Sequence, residues 1–244
     1  MLDLPLWLWI VAFTTALFAS TITTITSIGA GLIVYGILGF FIDLKMLIPI
    51  FAPAQLLAVT VRTWLFRRYI QWRYAAYFLL GVIPGIYGGS LIFQVLSESA
   101  LRRLLGVFLL GFASYEWFRN QSASGMPHVA LLPIGGVGAG VLLGSIGVPG
   151  PFLAVVFLRY GLVKESLVAM ISLFFLLGNA QRILLYWQQE LLTAGRLQVG
   201  ITMGIAMIVG VYLGRLVLPH MSRAVFVRLI LGMLVLFGVH FLIW

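Results

Sequence analysis

Two arginines are the residues of this chain best suited to bind an anion. Arg62 and Arg182 each stand in an otherwise uncharged, apolar run. A guanidinium inside a bilayer costs on the order of 2.5–3.5 kcal/mol at the centre and less near the interface. Its planar fork of donors matches the oxygens of an oxyanion. The alternative is that both side chains extend to the headgroups. The arginine recurs at matched positions in two halves of the chain, which favours an anion site.

Two amide side chains share a helix face with these arginines. Asn179 lies three residues before Arg182, and Gln55 lies seven residues before Arg62. A guanidinium together with an amide suits an oxyanion. The sequence therefore predicts that all four side chains bind substrate. Val59 stands where the second half has Asn179, so the two halves need not contribute equally.

Two glycine-rich phrases interrupt long uncharged runs. "TSIGAGLIV" (26–34) lies within Leu4–Ile42, and "GSIGVPGPF" (144–152) lies within Val129–Leu158. As one straight helix the first run would be about 58 Å long, against a hydrocarbon core of about 30 Å. We therefore expect a helix break in each phrase, where glycine and proline are suited to it. The backbone groups freed by a break must line protein or water, and a restarting helix presents its amides to an anion.

The residues of the two breaks are therefore further candidates for binding the anion, in one shared cavity near mid-bilayer. They are Ser27, Gly29, Gly31, Ser145, Gly147, Pro149 and Gly150. The alternative is that these glycines only permit tight helix packing. That structural reading is the one we give to the glycines spaced by four elsewhere, such as Gly81, Gly85 and Gly89.

The composition indicates an all-α polytopic membrane protein. The chain is 62% hydrophobic and 9% charged, with mean hydropathy +1.13, whereas soluble domains carry about a quarter charged residues. A span needs about 20 apolar residues, which predicts about eight transmembrane helices. The predicted spans are 5–26, 46–66, 74–96, 98–119, 129–148, 166–187, 197–218 and 224–243, with half-length pieces at 28–42 and 149–158.

The chain contains an internal duplication by its motifs. Ser-Ile-Gly occurs at each break, "VTVRTWLF" (59–66) matches "NAQRILLY" (179–186), and "GIYGGSL" (85–91) matches "GVYLGRL" (210–216). These matches predict two four-helix repeats, a pattern typical of secondary transporters. The predicted division is a first repeat at 1–118, a linker at 119–128 and a second repeat at 129–244.

The sequence leaves the relative orientation of the repeats open. If all eight spans cross fully, the loops 41–45, 97–103, 159–165 and 219–228 share one face. The distribution of Lys and Arg then favours, by a small margin, both termini outside. If a broken segment is re-entrant, the two halves become inverted repeats.

These motifs resemble the TauE/SafE family of bacterial and archaeal membrane transporters. The resemblance rests on the glycine-rich break after the first span, on "GSIGVPGPF", on "NAQR" (179–182) and on the two "GIYGGSL"-like segments, and it covers nearly the whole chain. It implies a secondary transporter of the cell inner membrane whose substrate is sulfite or an organosulfonate. An anion channel and a transporter of small carboxylates are the alternatives.

Other classes of function lack support in the sequence. There is no Cys, no HExxH, no GxSxG and no pair of mid-span aspartates, and the three His form no ligand spacing. We therefore expect no enzyme activity, no catalytic residue, no metal and no cofactor. The net charge of +9 is typical of basic cytoplasmic loops rather than of nucleic-acid binding. The expected partners are a small anion and membrane lipid, and a homodimer stays open.

The acidic residues bear on energy coupling. The chain has six of them, all at or near the ends of the predicted spans. They are Asp3, Asp43, Glu98, Glu116, Glu165 and Glu190. Proton-driven transporters often carry an ionisable group within the membrane. The sequence therefore predicts that there is no dedicated mid-membrane proton carrier.

Overall fold

The computed structural model describes residues 5–26, 29–97, 128–162 and 164–217, together with isolated residues between 99 and 114 and between 232 and 243. The described part is helical and contains no strand. Its helices are α1 Leu6–Thr26, α2 Ala30–Leu38, α3 Leu44–Phe66, α4 Trp72–Val95, α5 Leu132–Ser145, α6 Gly150–Arg159, α7 Lys164–Gln188 and α8 Ala194–Val217. Short 3-10 turns, Arg67–Tyr69 and Val129–Leu131, precede α4 and α5.

Five of the described helices, α1, α3, α4, α7 and α8, are long and apolar enough to cross a membrane. The predicted span 129–148 is shorter in the structure, because α5 ends at Ser145. The predicted spans 98–119 and 224–243 lie largely outside the described residues. Gly106 and Gly238, one from each, are helical and lie together, since a Cβ on Gly106 would be 3.0 Å from the carbonyl oxygen of Gly238.

Both predicted helix breaks occur, and a glycine with left-handed backbone stands at each. Gly29 precedes α2 with φ 112°, and Gly147 follows α5 with φ 75°, a region in which other residues are strained. At the second break the N–H groups of Ile146 and Gly147 both donate to the carbonyl of Leu142, which is how many helices end at glycine.

Each break turns the chain back on itself. At the start of α1, the Trp7 ring packs edge-on against Phe41, just after α2, with centroids 5.4 Å apart. After α6, the Tyr160 hydroxyl donates to the carbonyl of His128, just before α5, at 3.1 Å. We call α1–α2 the first hairpin and α5–α6 the second hairpin. Each begins and ends at one face of the molecule and carries its break at the tip.

The helices fall into two groups by direction. Within the first group, α1, α8 and α3 run parallel, because successive glycines of α8 contact successive turns of the other two. The pairs are Leu17 with Gly210, Thr24 with Gly214, Ile50 with Gly200 and Ala54 with Gly204.

The second group, α4, α5 and α7, also runs parallel within itself. The pairs are Gly81 with Pro133, Gly89 with Val141, Phe78 with Phe174 and Phe93 with Tyr186. The two groups run in opposite directions, because α3 and α7 cross with Gln55 beside Asn179 and Arg62 beside Ser172.

The two hairpins therefore enter from opposite faces. We name these the α1 face, where α1 begins, and the α5 face, where α5 begins. The sequence left open whether the broken segments cross fully or are re-entrant; in the structure each hairpin begins and ends at the same face. The loop 159–165 lies on the same face as the α3–α4 turn, since the Tyr160 and Tyr74 rings are 5.7 Å apart.

The glycines spaced by four residues on α4 lie where the backbone of α4 packs closely on the backbone of α5. A Cβ on Gly81, Gly85 or Gly89 would overlap a backbone carbonyl of α5. Gly136 and Gly140 are constrained in the same way by carbonyls of α4. Small residues at this spacing let two membrane helices approach closely, and here they hold the second hairpin against α4.

Candidate anion site between the hairpin tips

The two hairpin tips meet in the interior. A Cβ on Gly31 would lie 3.3 Å from Cγ2 of Val148 and 3.4 Å from the carbonyl oxygen of Gly147. A small cavity lies at this junction, between the tips and the crossing of α3 with α7. Its lining residues are Thr23, Gly29, Ala30, Gly31, Gln55, Gly147, Val148, Gly150 and Phe175.

Two helix N-termini open onto this cavity. The carbonyls of Gly29 and Pro149 accept the first intrahelical bonds of α2 and α6, from the N–H groups of Ile33 and Leu153, both at 2.9 Å. A helix leaves its first N–H groups without an intrahelical partner and carries partial positive charge there. Two such ends at one cavity form an environment suited to an anion.

A buried guanidinium lies next to the cavity. Arg182 is 0% exposed. Its Nη1 donates to Oδ1 of Asn179 at 3.2 Å, and its Nη2 donates to the Tyr186 hydroxyl at 3.0 Å. Its Nε is buried without a partner. Within the described residues no acidic side chain pairs with it. Because a buried charge without a counter-charge is costly, an anion bound nearby would offset that cost.

Asn179 connects Arg182 to the cavity wall. Its Nδ2 donates to Oε1 of Gln55 at 3.2 Å and to the carbonyl of Phe175 at 2.8 Å, while its Oδ1 accepts from Arg182. This network orients the Gln55 amide, since the oxygen of that amide is already used as an acceptor. The Gln55 Nε2 group is thereby left as a donor at the cavity, where an oxyanion needs donors.

Tyr35, which the sequence analysis did not single out, lies at the same junction. It is on α2, and its side chain is fully buried. Its hydroxyl interacts electrostatically with the Arg182 guanidinium but makes no well-formed hydrogen bond. A Cβ on Gly147 would overlap that hydroxyl oxygen and lie 3.1 Å from Nη2 of Arg182. A signal was present in the sequence, because a lone tyrosine in a half-length apolar helix must place its hydroxyl somewhere polar. Tyr186, four residues after Arg182, carried a similar signal.

The structure separates other candidates from the cavity. Arg62 is buried, and its Nε donates to Oγ of Ser172 at 2.8 Å. Neither arginine lines the cavity itself, but Arg182 adjoins its wall at Gly147, whereas Arg62 is bonded to Ser172. The Ser145 hydroxyl donates to the carbonyl of Val141 in its own helix at 2.6 Å. Pro149 is buried behind the cavity lining at the start of α6. Ser27 lies outside the described residues.

Comparison with known proteins identifies what kind of protein contains this site. The profile of the family described as "Sulfite exporter TauE/SafE" matches residues 12–241. The chain belongs to the TauE/SafE family. A relative, the "Probable sulfite/organosulfonate exporter TauE" of Cupriavidus necator, is 28% identical over 175 residues, which cover 70% of this chain and 68% of the relative. No solved structure matches the chain.

Membership of the TauE/SafE family confirms the resemblance seen in the motifs. The protein is a membrane transporter and not an enzyme, and it is a multi-pass protein of the inner membrane. An exporter family of this kind implies a small anionic substrate. Among the described side chains no group of three His, Asp or Glu could hold a metal ion.

Proposed function

We propose that this TauE/SafE protein moves sulfite or a small organosulfonate across the inner membrane, and that the anion binds between the hairpin tips. The observation that carries the proposal is that two helix N-termini meet at one small cavity, with the buried Arg182 against Gly147 of the cavity wall. Among the described residues no carboxylate pairs with Arg182. The Cupriavidus necator relative is described as a probable sulfite/organosulfonate exporter, which indicates the substrate class.

Each cavity residue has a chemical role in this proposal. Gly29, Gly31, Gly147 and Gly150 let the backbone amides approach the anion without interference from a side chain. Gln55 donates from its Nε2 group. Arg182 supplies the charge, and Asn179 holds both of these side chains in position. A sulfonate has three oxygens and one negative charge, so it can use several such donors at once.

The two halves act as inverted repeats in this proposal, divided at 1–118 and 129–244. The order of helix, break, half-helix and two long helices occurs twice, in opposite directions. The packing supports a two-fold relation, because α1 contacts α8 while α5 contacts α4, so that the first helix of each half lies against the other half. Transporters with such repeats expose a central site alternately to the two faces by moving one repeat unit against the other.

Energy coupling follows from where the acidic residues lie. Asp43 caps α3 by accepting from the Lys45 N–H, Glu165 is in the first turn of α7, and Glu190 follows α7. None of these three lies within the interior of a helix. Asp3, Glu98 and Glu116 lie outside the described residues. On the described residues we propose a uniporter or exchanger, or carriage of a weak acid that brings its own proton, without a dedicated carboxylate.

The proposed function is tested with purified protein in detergent and in proteoliposomes. Sulfite and methanesulfonate should raise the melting temperature by mass action, and acetate and chloride should do so less. Uptake of radiolabelled methanesulfonate should saturate, whereas unit conductance in a planar bilayer would identify a channel. Preferential stabilisation by acetate would support the carboxylate alternative and contradict the proposal.

A further inference from the structure

Two buried polar atoms next to the cavity make no well-formed hydrogen bond within the described part of the protein. These atoms are the Tyr35 hydroxyl and the Nε of Arg182. Both are donors, and buried donors are nearly always satisfied. Gly147 lies between them and the cavity, and a Cβ there would overlap the Tyr35 hydroxyl and approach Arg182. The missing side chain of Gly147 thus leaves space between the cavity and both the Tyr35 hydroxyl and the Nη2 of Arg182.

The three residues belong to three different parts of the fold. Tyr35 is on the first hairpin, Gly147 is at the tip of the second hairpin, and Arg182 is on α7. Their proximity depends on the contact between the tips. The ring of Tyr35 is itself fixed by an edge-on contact with Phe51, with centroids 5.4 Å apart.

We propose that the Tyr35 hydroxyl and Arg182 form a subsite for one oxygen of the bound oxyanion, assembled only while the two hairpin tips are in contact. This inference rests on the proposed function and adds a specificity determinant to it. An anion with three oxygens can reach the subsite while its other two oxygens use the helix N-termini and Gln55. A carboxylate has only two oxygens and leaves the subsite without a ligand.

The test is Tyr35→Phe, with Tyr160→Phe as the matched control. Tyr160 is another buried tyrosine of the hairpins, but its hydroxyl has a protein partner at the open end of the second hairpin. Binding of methanesulfonate and of acetate is measured on both variants and on the parent, together with the melting temperature without ligand.

Tyr35→Phe should act mainly on ligand binding, and Tyr160→Phe should act mainly on stability. Tyr35→Phe should weaken methanesulfonate binding about tenfold, since one hydrogen bond to a charged group is lost, and should change acetate binding less than about twofold. Its ligand-free melting temperature should fall less than that of Tyr160→Phe, because the Tyr35 hydroxyl makes no well-formed hydrogen bond. Tyr160→Phe should lower the melting temperature and leave both affinities unchanged.

The outcomes separate the two proposals. If the parent binds methanesulfonate and Tyr35→Phe binds it equally well, the subsite is wrong and the proposed function stands. If Tyr35→Phe weakens methanesulfonate and acetate equally, the hydroxyl does not select for the third oxygen and the inference is overturned. If the parent binds neither sulfite nor methanesulfonate, the proposed function itself fails.

A second observation, independent of the site, concerns the charge of the two faces. Apart from the buried Arg62 and Arg182, each described basic residue lies near a helix end. The direction of that helix assigns the residue to one face or the other. The α5 face carries Arg67, Arg68, Arg73, Arg159, Lys164 and Arg215, and the α1 face carries Lys45, Arg103 and Arg196. Short cytoplasmic loops carry the excess of Lys and Arg in membrane proteins.

We infer that the α5 face is cytoplasmic. The α1 face, at which the first hairpin begins and ends, is then on the outer side of the membrane. The native chain has no Cys, so single cysteines report position without a background. In intact cells Thr193→Cys, on the α1 face, should react with a membrane-impermeant maleimide. Gln71→Cys, on the α5 face, should react only after permeabilisation. The reverse labelling would overturn this orientation.

Discussion

The two buried arginines occupy matched places in the two halves, yet their surroundings differ. Arg182 has Asn179 three residues before it, and this amide accepts from its guanidinium. Arg62 has Val59 at that position, which offers no hydrogen bond. The arginine therefore lies in a network of an amide and a tyrosine hydroxyl in one half, and donates to the Ser172 hydroxyl in the other.

The same contrast holds one turn later in each helix. Tyr186 accepts a hydrogen bond from Arg182 and donates to the carbonyl of Gly144 at 3.4 Å, near the second break. Phe66 stands at the matched place after Arg62 and has no hydroxyl. In our proposal the two hairpins supply a common scaffold, whereas most of the side chains that bind the anion lie in the second half.

The largest effect should come from removing the guanidinium of the second half. Arg182→Ala should weaken binding of methanesulfonate about 100-fold or more, because two or more charge-assisted contacts are lost. Arg182→Lys should restore only part of this, since Lys lacks the planar fork. The measurement is ligand-induced melting-temperature shift over a concentration series.

Arg62→Ala is the matched control for that prediction. Arg62 donates to Ser172, whereas Arg182 lies against Gly147 of the cavity wall. Removal of Arg62 should therefore change affinity less than about threefold while lowering stability by about 1–3 kcal/mol. Equal losses of binding in the two alanine variants would show that the comparison is wrong.

Asn179→Val places in the second half the residue type found at the matched position of the first half, Val59. The Oε1 of Gln55 and the Nη1 of Arg182 would each lose a partner, and each unsatisfied buried group costs about 1–3 kcal/mol. We expect about a tenfold loss of methanesulfonate affinity together with a lower melting temperature. An unchanged affinity would mean that the orientation of Gln55 and Arg182 does not depend on Asn179.

Tyr186→Phe should have a smaller effect of the same kind. It copies Phe66 into the second half and removes one hydrogen bond to Arg182, worth about 1 kcal/mol. Affinity should fall about threefold to tenfold in the same titration. If Tyr186→Phe lost more methanesulfonate affinity than Asn179→Val, Tyr186 rather than Asn179 would be the more important partner of Arg182.

Ser145→Ala should have the smallest effect, although Ser145 stands beside the second break. Its hydroxyl is already bonded to Val141 within α5. Uptake of methanesulfonate by proteoliposomes should remain within about twofold of the parent, since no donor at the cavity is removed. A severe loss would indicate that this hydroxyl turns toward the anion during transport.

Much of this fold was accessible from the sequence, because the responsible forces act along the chain. Length and hydropathy predicted the long helices, and uncharged runs too long for one crossing predicted the breaks at Gly29 and Gly147. Helix periodicity placed Asn179 on the same face as Arg182, and their hydrogen bond follows from that spacing.

The rest depends on contacts between distant segments. That both hairpins are re-entrant is decided by pairs such as Trp7 with Phe41, which no local pattern contains. The approach of Tyr35 to Gly147 requires both tips to be in place. Ser145 was assigned to the cavity by its position, but hydroxyls within helices often bond to the carbonyl one turn earlier.

The central claim is that the transported anion binds between the hairpin tips beside Arg182. Selenite is the heavier congener of sulfite, and the chain has no thiol to reduce it, so anomalous diffraction from crystals grown with selenite locates the anion directly. We predict one dominant selenium peak at the cavity, with its oxygens within hydrogen-bond distance of the Gly31 and Gly150 amides and of Arg182. A dominant peak at Arg62, with the cavity between the tips empty, would contradict the account.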